Sequence, residues 1–286
     1  MAINMNGKIC LVTGANSGIG KVTALELAKM GAKVVMFCRN PKKGEDALAE
    51  IKEKSGNDTV DLMIADLASL DSVRQFAANY KAKYKKLHIL INNAGIHYPD
   101  RELTIDGYEA MFAVNHLGHF LLTMLLIDII KASAPARIIN VSSEAHVFAK
   151  FDLDDLNLDK HFNEFQAYGR SKLANILFTY ELARRLEGTG VTVNCLHPGM
   201  VRTNFQRYSK MVQEAVKKAP PGLLISPEVG ARTTIYLATS PEVENVTGKY
   251  YDNLKAKKSS RRSYDIDLQK KLWELSEKLT GLINSE

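Results

Sequence analysis

The chain contains little cysteine, and what it has is scattered. Only three of its 286 residues are cysteines, too few for a disulfide framework or for a zinc site with paired ligands. Each lies in an apolar stretch typical of a buried strand. We therefore expect three buried thiols in a reducing compartment, namely Cys10, Cys38 and Cys195.

Long hydrophobic runs are also missing. The longest apolar stretch, Leu117–Ile130, is interrupted by His119 and Asp128 and is shorter than the roughly 20 residues that span a membrane. It predicts a buried helix. The N-terminal residues MAINMNGKICL show neither the apolar core nor the small-residue cleavage site of a secretory signal. We therefore expect a cytoplasmic protein without a membrane anchor.

Charge of one sign is not concentrated in the form that nucleic-acid binding requires. The net charge is +6, and the charged residues are spread along the chain. The densest basic run, Lys255–Arg262, has only serines and an alanine between its cations, whereas an RNA-binding surface needs aromatic side chains for stacking. We expect a solvated mixed surface and no nucleic-acid partner, and binding through this run is the alternative.

The histidines do not form a metal site. Four of them lie on an apolar helix or beside motifs described below, but no set offers three ligands at zinc spacing with a carboxylate: His116, His119, His146 and His197. We expect structural or site-lining histidines and no metal ion. His97 and Tyr98, which directly follow a glycine-containing turn, are candidates for substrate contact.

The sequence does contain a regular alternation of short β-branched runs and longer helical segments. Strands are predicted at Lys8–Thr13, Lys33–Cys38, Val60–Ile64, Leu87–Ile91, Arg137–Val141 and Val191–Leu196, with one more beginning at Lys249–Tyr250. Helices are predicted at Ile19–Lys29, Pro41–Lys54, Ser69–Lys83, Gly107–Lys131 and Asn163–Leu186. Helices between strands indicate βαβ crossovers, and continuously apolar strands indicate a sheet covered on both faces.

This alternation predicts a Rossmann-type α/β fold. We expect a doubly wound parallel sheet of about seven strands with helices on both faces. No repeat or long linker divides the chain, so residues 1–286 are predicted to form a single domain. Substrate-side elaborations are expected at 144–162 and 200–228.

A glycine-rich turn, Thr13–Gly20 (TGANSGIG), joins the first strand to the first helix. Free backbone N–H groups at the start of a helix bind anions, and glycine lets a phosphate approach closely. Gly14 suits the tight turn, Gly18 the close approach and Gly20 the packing of helix against strand. The strand–turn–helix context predicts a site for a dinucleotide pyrophosphate. Further contacts are expected from Asn16, Ser17 and Ile19.

The end of the second strand indicates which dinucleotide binds. A carboxylate here would accept hydrogen bonds from the adenosine ribose of NAD and repel a 2′-phosphate. This chain has Arg39 followed by Asn40, with no acid before Glu45. A guanidinium holds a phosphate through paired N–H donors. The sequence thus favours NADP(H) over NAD(H), and the alternative is that Arg39 is an ordinary surface cation.

Tyr168 and Lys172 are four residues apart in a helical segment, YGRSK, which places them on one face. A phenol is a poor base at neutral pH, but a nearby ammonium group and an oxidised nicotinamide both stabilise the phenolate. The pair is therefore a candidate acid/base centre. Taken alone, this spacing is also common in exposed helix pairs.

Three other features support a catalytic site. Ser142 and Ser143 end one predicted strand, and the residues Asn92–Gly95 (NNAG) end another, both at the sheet edge where ligands bind. Asn115 lies inside the long helix, where a buried amide is costly unless it has partners. The NNAG loop adds Asn93, Ala94 and Gly95 to the candidate cofactor contacts.

In these motifs the chain resembles the short-chain dehydrogenase/reductase family. TGANSGIG, NNAG, Asn115, Ser143, YGRSK and the HPG at 197–199 follow the family's order, from about Lys8 to the C-terminal helix. The stretches NHLGHFLLT, RIINVSSEAH and HPGMVRT further resemble its retinol dehydrogenase-like branch. The resemblance implies reversible hydride transfer between nicotinamide and a carbonyl or alcohol carbon of a small or lipophilic substrate.

The resemblance also implies a role for each matching residue. Tyr168 is the acid/base, Lys172 its activator and a ribose ligand, Ser143 the donor to the substrate oxygen, and Asn115 the holder of a water molecule in a proton relay. Two further groups match cofactor contacts: Asp66 and Leu67 beside the adenine, and Pro198, Gly199, Val201 and Thr203 beside the nicotinamide. A homodimer or homotetramer through the long helices is the implied assembly.

Two departures from the family pattern are visible. Ser143 and Tyr168 are 25 residues apart, about twice the usual interval, because of a segment that matches an insertion in the retinol dehydrogenase-like branch. The N-terminal anchor of many animal retinol enzymes is missing, which argues against a membrane-dissolved retinoid. Apolar residues after HPG are expected to form a lid or ordinary loop core: Met200, Phe205, Tyr208 and Met211. The alternative to an enzyme is a non-catalytic NADP(H)-binding regulator.

Overall fold

One sheet of eight strands organises the computed structural model, which describes residues 4–202, 213–214, 218, 220 and 223–283. The strand order is β3-β2-β1-β4-β5-β6-β7-β8. Strands β1 to β7 run parallel, and β8 pairs antiparallel with β7. The bounds are Ile9–Thr13, Lys33–Cys38, Asp61–Ile64, Ile89–Asn92, Ala136–Val141, Val191–His197, Tyr250–Asp252 and Lys255–Lys257.

Seven helices of more than two turns lie within the described residues. In chain order, α1 to α7 are Gly18–Lys29, Pro41–Ser55, Leu70–Lys83, Ala110–Lys131, Glu164–Arg185, Pro227–Thr239 and Ile266–Leu279. Helix α4 is continuous but contains a π-helical turn at Ala113–Leu117. The segment 144–162 contains a short 3-10 helix, Glu144–Phe148, and is otherwise irregular.

The predicted Rossmann-type fold is confirmed, with differences in detail. The seven parallel strands agree with the expected number. The additional β8 is a short edge strand within the basic run, and its lack of large apolar residues is why the sequence did not predict it. Helix α4 begins at Ala110 rather than at Gly107, because Gly107 has φ +80° and Glu109 caps the helix with its carboxylate. Helix α6 was not predicted, although Ser226 caps it and Pro227 occupies its first turn.

Alternate residues of the central strands enter two apolar layers, one on each face of the sheet. Leu11 and Leu90 pack with α3 and α4, whereas their neighbours Val12 and Ile91 pack with α1 and α2. Side chains of a strand point to opposite faces in turn, so a sheet with helices on both sides requires apolar residues throughout. This explains the continuously apolar strands.

Helix α4 is long and apolar enough to cross a membrane by length and composition, but 89% of its most apolar window is buried inside the protein. The prediction of a buried helix at Leu117–Ile130 is confirmed. Its burial comes from two sides, since one flank faces the sheet and the other is covered by α7.

Helix α7 packs across α4 and α5. Trp273 contacts Phe120 and Phe178 with ring centroids 5.1 and 5.9 Å away, and the guanidinium of Arg185 lies 4.1 Å above the indole ring. The interface also includes a hydrogen bond of 2.9 Å between His116 Nε2 and Ser276 Oγ. A homodimer or homotetramer through the long helices stays a prediction from the resemblance.

Candidate active site

The carboxyl ends of the parallel strands meet at one edge of the sheet, and the motif residues follow these ends. Gly14 comes directly after β1, Arg39 after β2, Asn93 after β4 and Ser143 two residues after β5. In an open parallel sheet, this edge is where ligands bind.

The three glycines of the glycine-rich turn lie where backbone conformation or space requires glycine. Gly14 and Gly18 have φ of +69° and +52°, in the left-handed region that favours glycine. A Cβ on Gly20 would lie 2.4 Å from the carbonyl oxygen of Gly14 and 2.5 Å from Nδ2 of Asn93. Ser17 makes no side-chain capping bond to the first turn of α1, so its hydroxyl does not occupy the amide groups of that turn. This is the arrangement of an anion site.

Thr13 joins the glycine-rich turn to the NNAG loop. Its Oγ1 accepts hydrogen bonds of 2.9 Å from the backbone amides of both Asn93 and Ala94, and Asn93 Nδ2 donates to the Thr13 carbonyl at 2.8 Å. A Cβ on Gly95 would lie 3.4 Å from both Lys172 Nζ and Asn115 Oδ1. The loop thus passes directly against the predicted catalytic residues.

Asn92, unlike the neighbouring Asn93, makes its side-chain contacts in the interior of the protein. Its Nδ2 donates to Thr123 Oγ1 at 3.0 Å and to Asn140 Oδ1 at 2.8 Å, both in the interior. It ties β4 to α4 and β5 and does not face the edge.

A cavity of about 450 Å³ lies beside the end of β2. It is lined by Arg39, Ala68, Ile96 and Val114, among others. The Arg39 side chain is exposed, whereas Asn40 uses its Oδ1 to cap α2 by accepting from the amide of Lys43. Its lining combines apolar side chains with charges of both signs, since Asp100 and Glu102 line it as well as Arg39.

Asp66 and Leu67 also lie near this cavity, on the loop that carries Ala68. Asp66 Oδ1 accepts from the Ala68 amide at 2.9 Å and so shapes the loop. Leu67 is buried, and its carbonyl would be 2.7 Å from a Cβ at Gly118, so the loop rests directly on α4.

Asn115 lies in the π-helical turn of α4 and is fully buried. Its Oδ1 accepts from the Ile96 amide at 2.8 Å, and its Nδ2 donates to the Ile96 carbonyl at 3.0 Å and to Ser171 Oγ at 2.9 Å. The side-chain amide therefore has the buried partners that the sequence required. Single π-turns occur mostly at functional sites.

The two serines after β5 point in different directions. Ser142 is buried, and its Oγ donates to the carbonyl of Lys172 at 2.7 Å. Ser143 is partly exposed at the sheet edge, and its side chain acts to lower the pKa of Tyr168, which burial raises. Of the pair, only Ser143 offers a hydroxyl to the cleft.

Tyr168 and Lys172 lie on one face of α5, as their spacing predicted. Lys172 Nζ is 5.6 Å from the centre of the Tyr168 ring and donates to the Val141 carbonyl at 3.2 Å. Burial raises the pKa of Tyr168 to about 12, although the Ser143 hydrogen bond opposes this, and burial lowers the pKa of Lys172 to about 8. The expected lowering of the phenol pKa therefore does not come from Lys172 alone.

His97 packs against the acid/base candidate. Its ring meets Tyr168 edge-on, with centroids 5.4 Å apart and planes at 81°. Its Nε2 lies 3.6 Å from Oε2 of Glu164, which precedes Tyr168 by one helical turn. Burial lowers the pKa of His97, and Glu164 opposes this effect. Sequence reasoning missed Glu164 because the two residues of the pair are distant in the chain.

The remaining histidines are structural within the described part of the chain. Burial lowers the pKa of each: His116, His119, His146 and His197. The described residues contain no group of three His, Cys, Asp or Glu side chains able to hold a metal ion.

The segment after β6 returns to the glycine-rich turn. Val201 forms a parallel bridge with Ile225. A Cβ on Gly230, in the first turn of α6, would lie 2.5 Å from Val201 Cγ2 and 3.4 Å from Ile19 Cγ1. Gly199 has φ +88° and follows Pro198 into this segment. Four predicted residues lie outside the described part of the chain: Thr203, Phe205, Tyr208 and Met211.

Arginines hold the insertion at 144–162 to the body of the protein. Arg170, between Tyr168 and Lys172, is buried and donates to the carbonyl oxygens of Asp155, at 2.7 Å, and Leu156. Its charge faces Glu109, with 3.9 Å between Nη2 and Oε2. Two further arginines bond to carbonyl oxygens of the same segment, Arg101 to Asn157 and Arg262 to Phe151. None of these three arginines was predicted to take part.

Known proteins share this geometry and sequence. The family model of short chain dehydrogenases matches residues 8–213. Retinol dehydrogenase 14 of Homo sapiens is 45% identical over 295 residues, covering 98% of this chain and 88% of its own. Retinol dehydrogenase 13 of Homo sapiens is 47% identical over 282 residues, covering 96% and 85%.

Solved structures agree. An uncharacterized protein from Mycobacterium paratuberculosis superposes with a TM-score of 0.79 at 34% identity, covering 98% of this chain and 96% of its own. An RhlG/NADP active-site complex from Pseudomonas aeruginosa superposes with a TM-score of 0.71 at 27% identity, covering 87% and 95%. With the glycine cradle, the sheet edge and this likeness taken together, the chain belongs to the retinol dehydrogenase-like part of the short-chain dehydrogenase family, and it is an oxidoreductase that binds a nicotinamide cofactor and acts on alcohols or carbonyl compounds.

Proposed function

We propose that this protein is an NADP(H)-dependent oxidoreductase in which Tyr168 is the acid/base. The observation that carries the proposal is the meeting of three side chains at the cofactor edge of the sheet: the ammonium group of Lys172 lies 5.6 Å from the centre of the Tyr168 ring, and the Ser143 side chain acts, against the effect of burial, to lower the pKa of the Tyr168 phenol. A substrate oxygen placed between the two hydroxyls accepts a hydrogen bond from each. Bound nicotinamide supplies the hydride for reduction or takes it up in oxidation.

Each of the four motif residues has a task in this arrangement. Ser143 donates to the substrate oxygen and polarises the carbonyl group. Tyr168 gives its proton to that oxygen in reduction and receives it in oxidation. Lys172 stabilises the phenolate, because an opposite charge favours the ionised form. Asn115 fixes the NNAG loop to α5 through Ile96 and Ser171, which supports its proposed place in a proton relay.

The preference for NADP(H) over NAD(H) is supported by Arg39. Arg39 directly follows β2 and lines the cavity at the end of that strand, where the adenosine end of the cofactor would extend. No carboxylate stands at the end of β2 to repel a 2′-phosphate. The Pseudomonas aeruginosa relative is an active-site complex with NADP. A cellular excess of NADPH would favour reduction.

The proposed substrate is an aldehyde or alcohol on an apolar carbon skeleton. Two aromatic side chains near the site support this, since Phe165 is 45% exposed and contacts His97, and Phe148 is 75% exposed on the insertion. The relatives named retinol dehydrogenases, by those names, act on a lipophilic alcohol. The cytoplasmic location and the absence of a membrane anchor stay predictions from the sequence.

The test is the variant Tyr168→Phe, assayed with NADPH and aldehydes of increasing chain length. Removal of the acid/base should lower turnover by at least about 100-fold while NADPH binding, measured by fluorescence titration, is retained. Tyr180→Phe is the matched control, because Tyr180 is a buried tyrosine of the same helix whose hydroxyl bonds to Ser259 instead. Near-normal turnover of Tyr168→Phe would contradict the assignment.

The alternative function is that of a non-catalytic NADP(H)-binding regulator. It predicts tight NADPH binding by the unaltered protein and no oxidation of NADPH with any carbonyl compound tested. The presence of Asn115, Ser143, Tyr168 and Lys172 together at one edge favours the enzyme.

A further inference from the structure

His119 connects two parts of the site that otherwise belong to separate elements. Its ring lies inside α4, is 2% exposed, and bonds through Nε2 to Thr13 Oγ1 at 2.9 Å and through Nδ1 to the carbonyl oxygen of Asn115 at 3.1 Å. Thr13 holds the glycine-rich turn and the NNAG loop, and Asn115 holds the π-turn. We propose that His119 is a positioning residue that keeps the cofactor-binding turn and the proton-transfer helices in register.

The protonation of the ring follows from its partners. A carbonyl oxygen can only accept, so Nδ1 must carry a proton and donate it to Asn115. At the other end, Thr13 Oγ1 already accepts from the amides of Asn93 and Ala94, which occupies both its lone pairs. The hydroxyl proton of Thr13 has two acceptors within reach, Nε2 of His119 at 2.9 Å and the carbonyl oxygen of Ile91 at 3.3 Å, and the shorter contact directs it to His119. The ring is neutral, with Nδ1 protonated.

Burial supports this neutral form, because it lowers the pKa of His119 to about 4. A charged ring would have to donate from Nε2 as well, and Thr13 Oγ1 has no lone pair left to accept. With the Thr13 hydroxyl donating to Nε2, both ring nitrogens of the neutral form have hydrogen-bond partners. Such a fully bonded polar chain rigidifies the groups that it joins.

The series of hydrogen bonds continues from Asn115 to the acid/base residue, Tyr168. Asn115 Nδ2 donates to Ser171 Oγ, and Ser171 Oγ donates to the carbonyl of Tyr168 at 2.8 Å. His119 is thus one link between the glycine-rich turn and the turn of α5 that carries Tyr168. Because the inference rests on the proposed function of Tyr168, the experiments that test it measure cofactor binding separately from turnover.

Two substitutions of His119 test the hydrogen bonds of its two ring nitrogens separately. The amide of His119→Asn reaches the position of Nδ1, and that of His119→Gln reaches the position of Nε2. We expect His119→Asn, which loses Thr13, to weaken NADPH binding by about tenfold with a smaller effect on kcat. We expect His119→Gln, which loses the Asn115 carbonyl, to lower kcat by about tenfold with a smaller effect on NADPH binding.

His116→Gln is the matched control. His116 is also buried, also on α4, and bonded to α7 through Ser276, away from the cofactor edge. It should lower the thermal unfolding temperature without changing the Kd for NADPH or kcat. If His116→Gln reproduces the effects of the His119 variants, a general loss of stability explains them and the positioning role is wrong.

A spectroscopic measurement on the unaltered full chain is independent of how the variants fold. With ¹⁵N-labelled histidine, the His119 ring should give the signature of the tautomer protonated at Nδ1, unchanged between pH 7 and pH 5. A ring protonated at Nε2, or one that titrates in this range, would overturn the proposal. A catalytically active Tyr168→Phe would instead refute the proposed function and leave the tautomer and the NADPH affinities unaffected.

Discussion

The two sides of the cleft are held together by different means. On the cofactor side, neighbouring strand ends are joined by short contacts such as those of Thr13 with the NNAG loop. On the substrate side, the irregular insertion is held by arginines that reach from distant positions, Arg262 being 111 residues from its acceptor Phe151. The first region is rigid because the sheet fixes it, whereas the second depends on a few side chains.

The largest effect is expected from breaking the substrate side at Arg170. In Arg170→Met the buried carboxylate of Glu109 loses its counter-charge, and the insertion loses two hydrogen bonds. The free energy of unfolding, from urea denaturation, should fall by about 3–5 kcal/mol. Because Glu109 is then the source of the cost, the double variant Arg170→Met, Glu109→Gln should recover part of the loss.

Arg101→Met sharpens this prediction. Arg101 bonds to the same segment, but its side chain is 29% exposed, so water can replace its partners. We expect a loss of only about 1 kcal/mol. If the Arg101 and Arg170 variants lose the same free energy of unfolding, the buried charge pair of Arg170 with Glu109 contributes no more to stability than an exposed contact.

The cofactor side is tested next at Arg39. Arg39→Ala should weaken NADP binding by about 10- to 100-fold, the worth of a charge-assisted hydrogen bond, and leave NAD binding unchanged. Isothermal titration with both cofactors measures the two affinities. Lys52→Ala removes the same charge at the far end of α2 and should change neither. Parallel weakening of NAD and NADP would argue against a contact with the 2′-phosphate.

A further prediction concerns pH and the two buried histidines of α4. Burial lowers their folded-state pKa values, to about 3 for His116 and about 4 for His119, below the ordinary value of 6.5. The unfolded chain therefore binds more protons as the pH falls below about 6.5, and stability present above that pH is lost on acidification. Each histidine should contribute a slope of about 1.4 kcal/mol per pH unit between pH 6 and pH 5.

Urea denaturation at several pH values measures this slope. His116→Gln should reduce it by the share of one proton, whereas replacement of the exposed His161 by glutamine should leave it unchanged. An unaltered slope in His116→Gln would place the acid sensitivity elsewhere in the molecule.

The cofactor side was largely predictable from the sequence because its chemistry is local. Three glycines at fixed spacing between a strand and a helix specify the turn, and the Cβ clashes at Gly20 show why no other residue fits. The spacing of Tyr168 and Lys172 likewise follows from the helical repeat. The positions of Asn115, Ser143 and Tyr168 came from the family pattern rather than from spacing.

The remaining features could not be predicted, for physical reasons. The π-turn at Ala113–Leu117 has the same apolar pattern as an ordinary helix, so nothing local marks it. The pairing of His97 with Glu164 depends on how β4 and α5 meet in three dimensions. From the sequence alone, Arg170 would be predicted to be an exposed cation within the YGRSK segment. It is buried because the folded insertion covers it.

The arginine anchors have a consequence for how this enzyme can change over time. Three arginines donate hydrogen bonds to backbone carbonyl oxygens of the insertion, namely Arg101, Arg170 and Arg262. These oxygens are present whatever side chain the residue carries. Amino-acid replacements in that segment can therefore accumulate without loosening these three contacts, whereas the side chains of Asn157 and buried Phe151 attach the segment directly and are less free to change. Selectivity for new compounds can evolve there while the machinery beneath keeps its alignment.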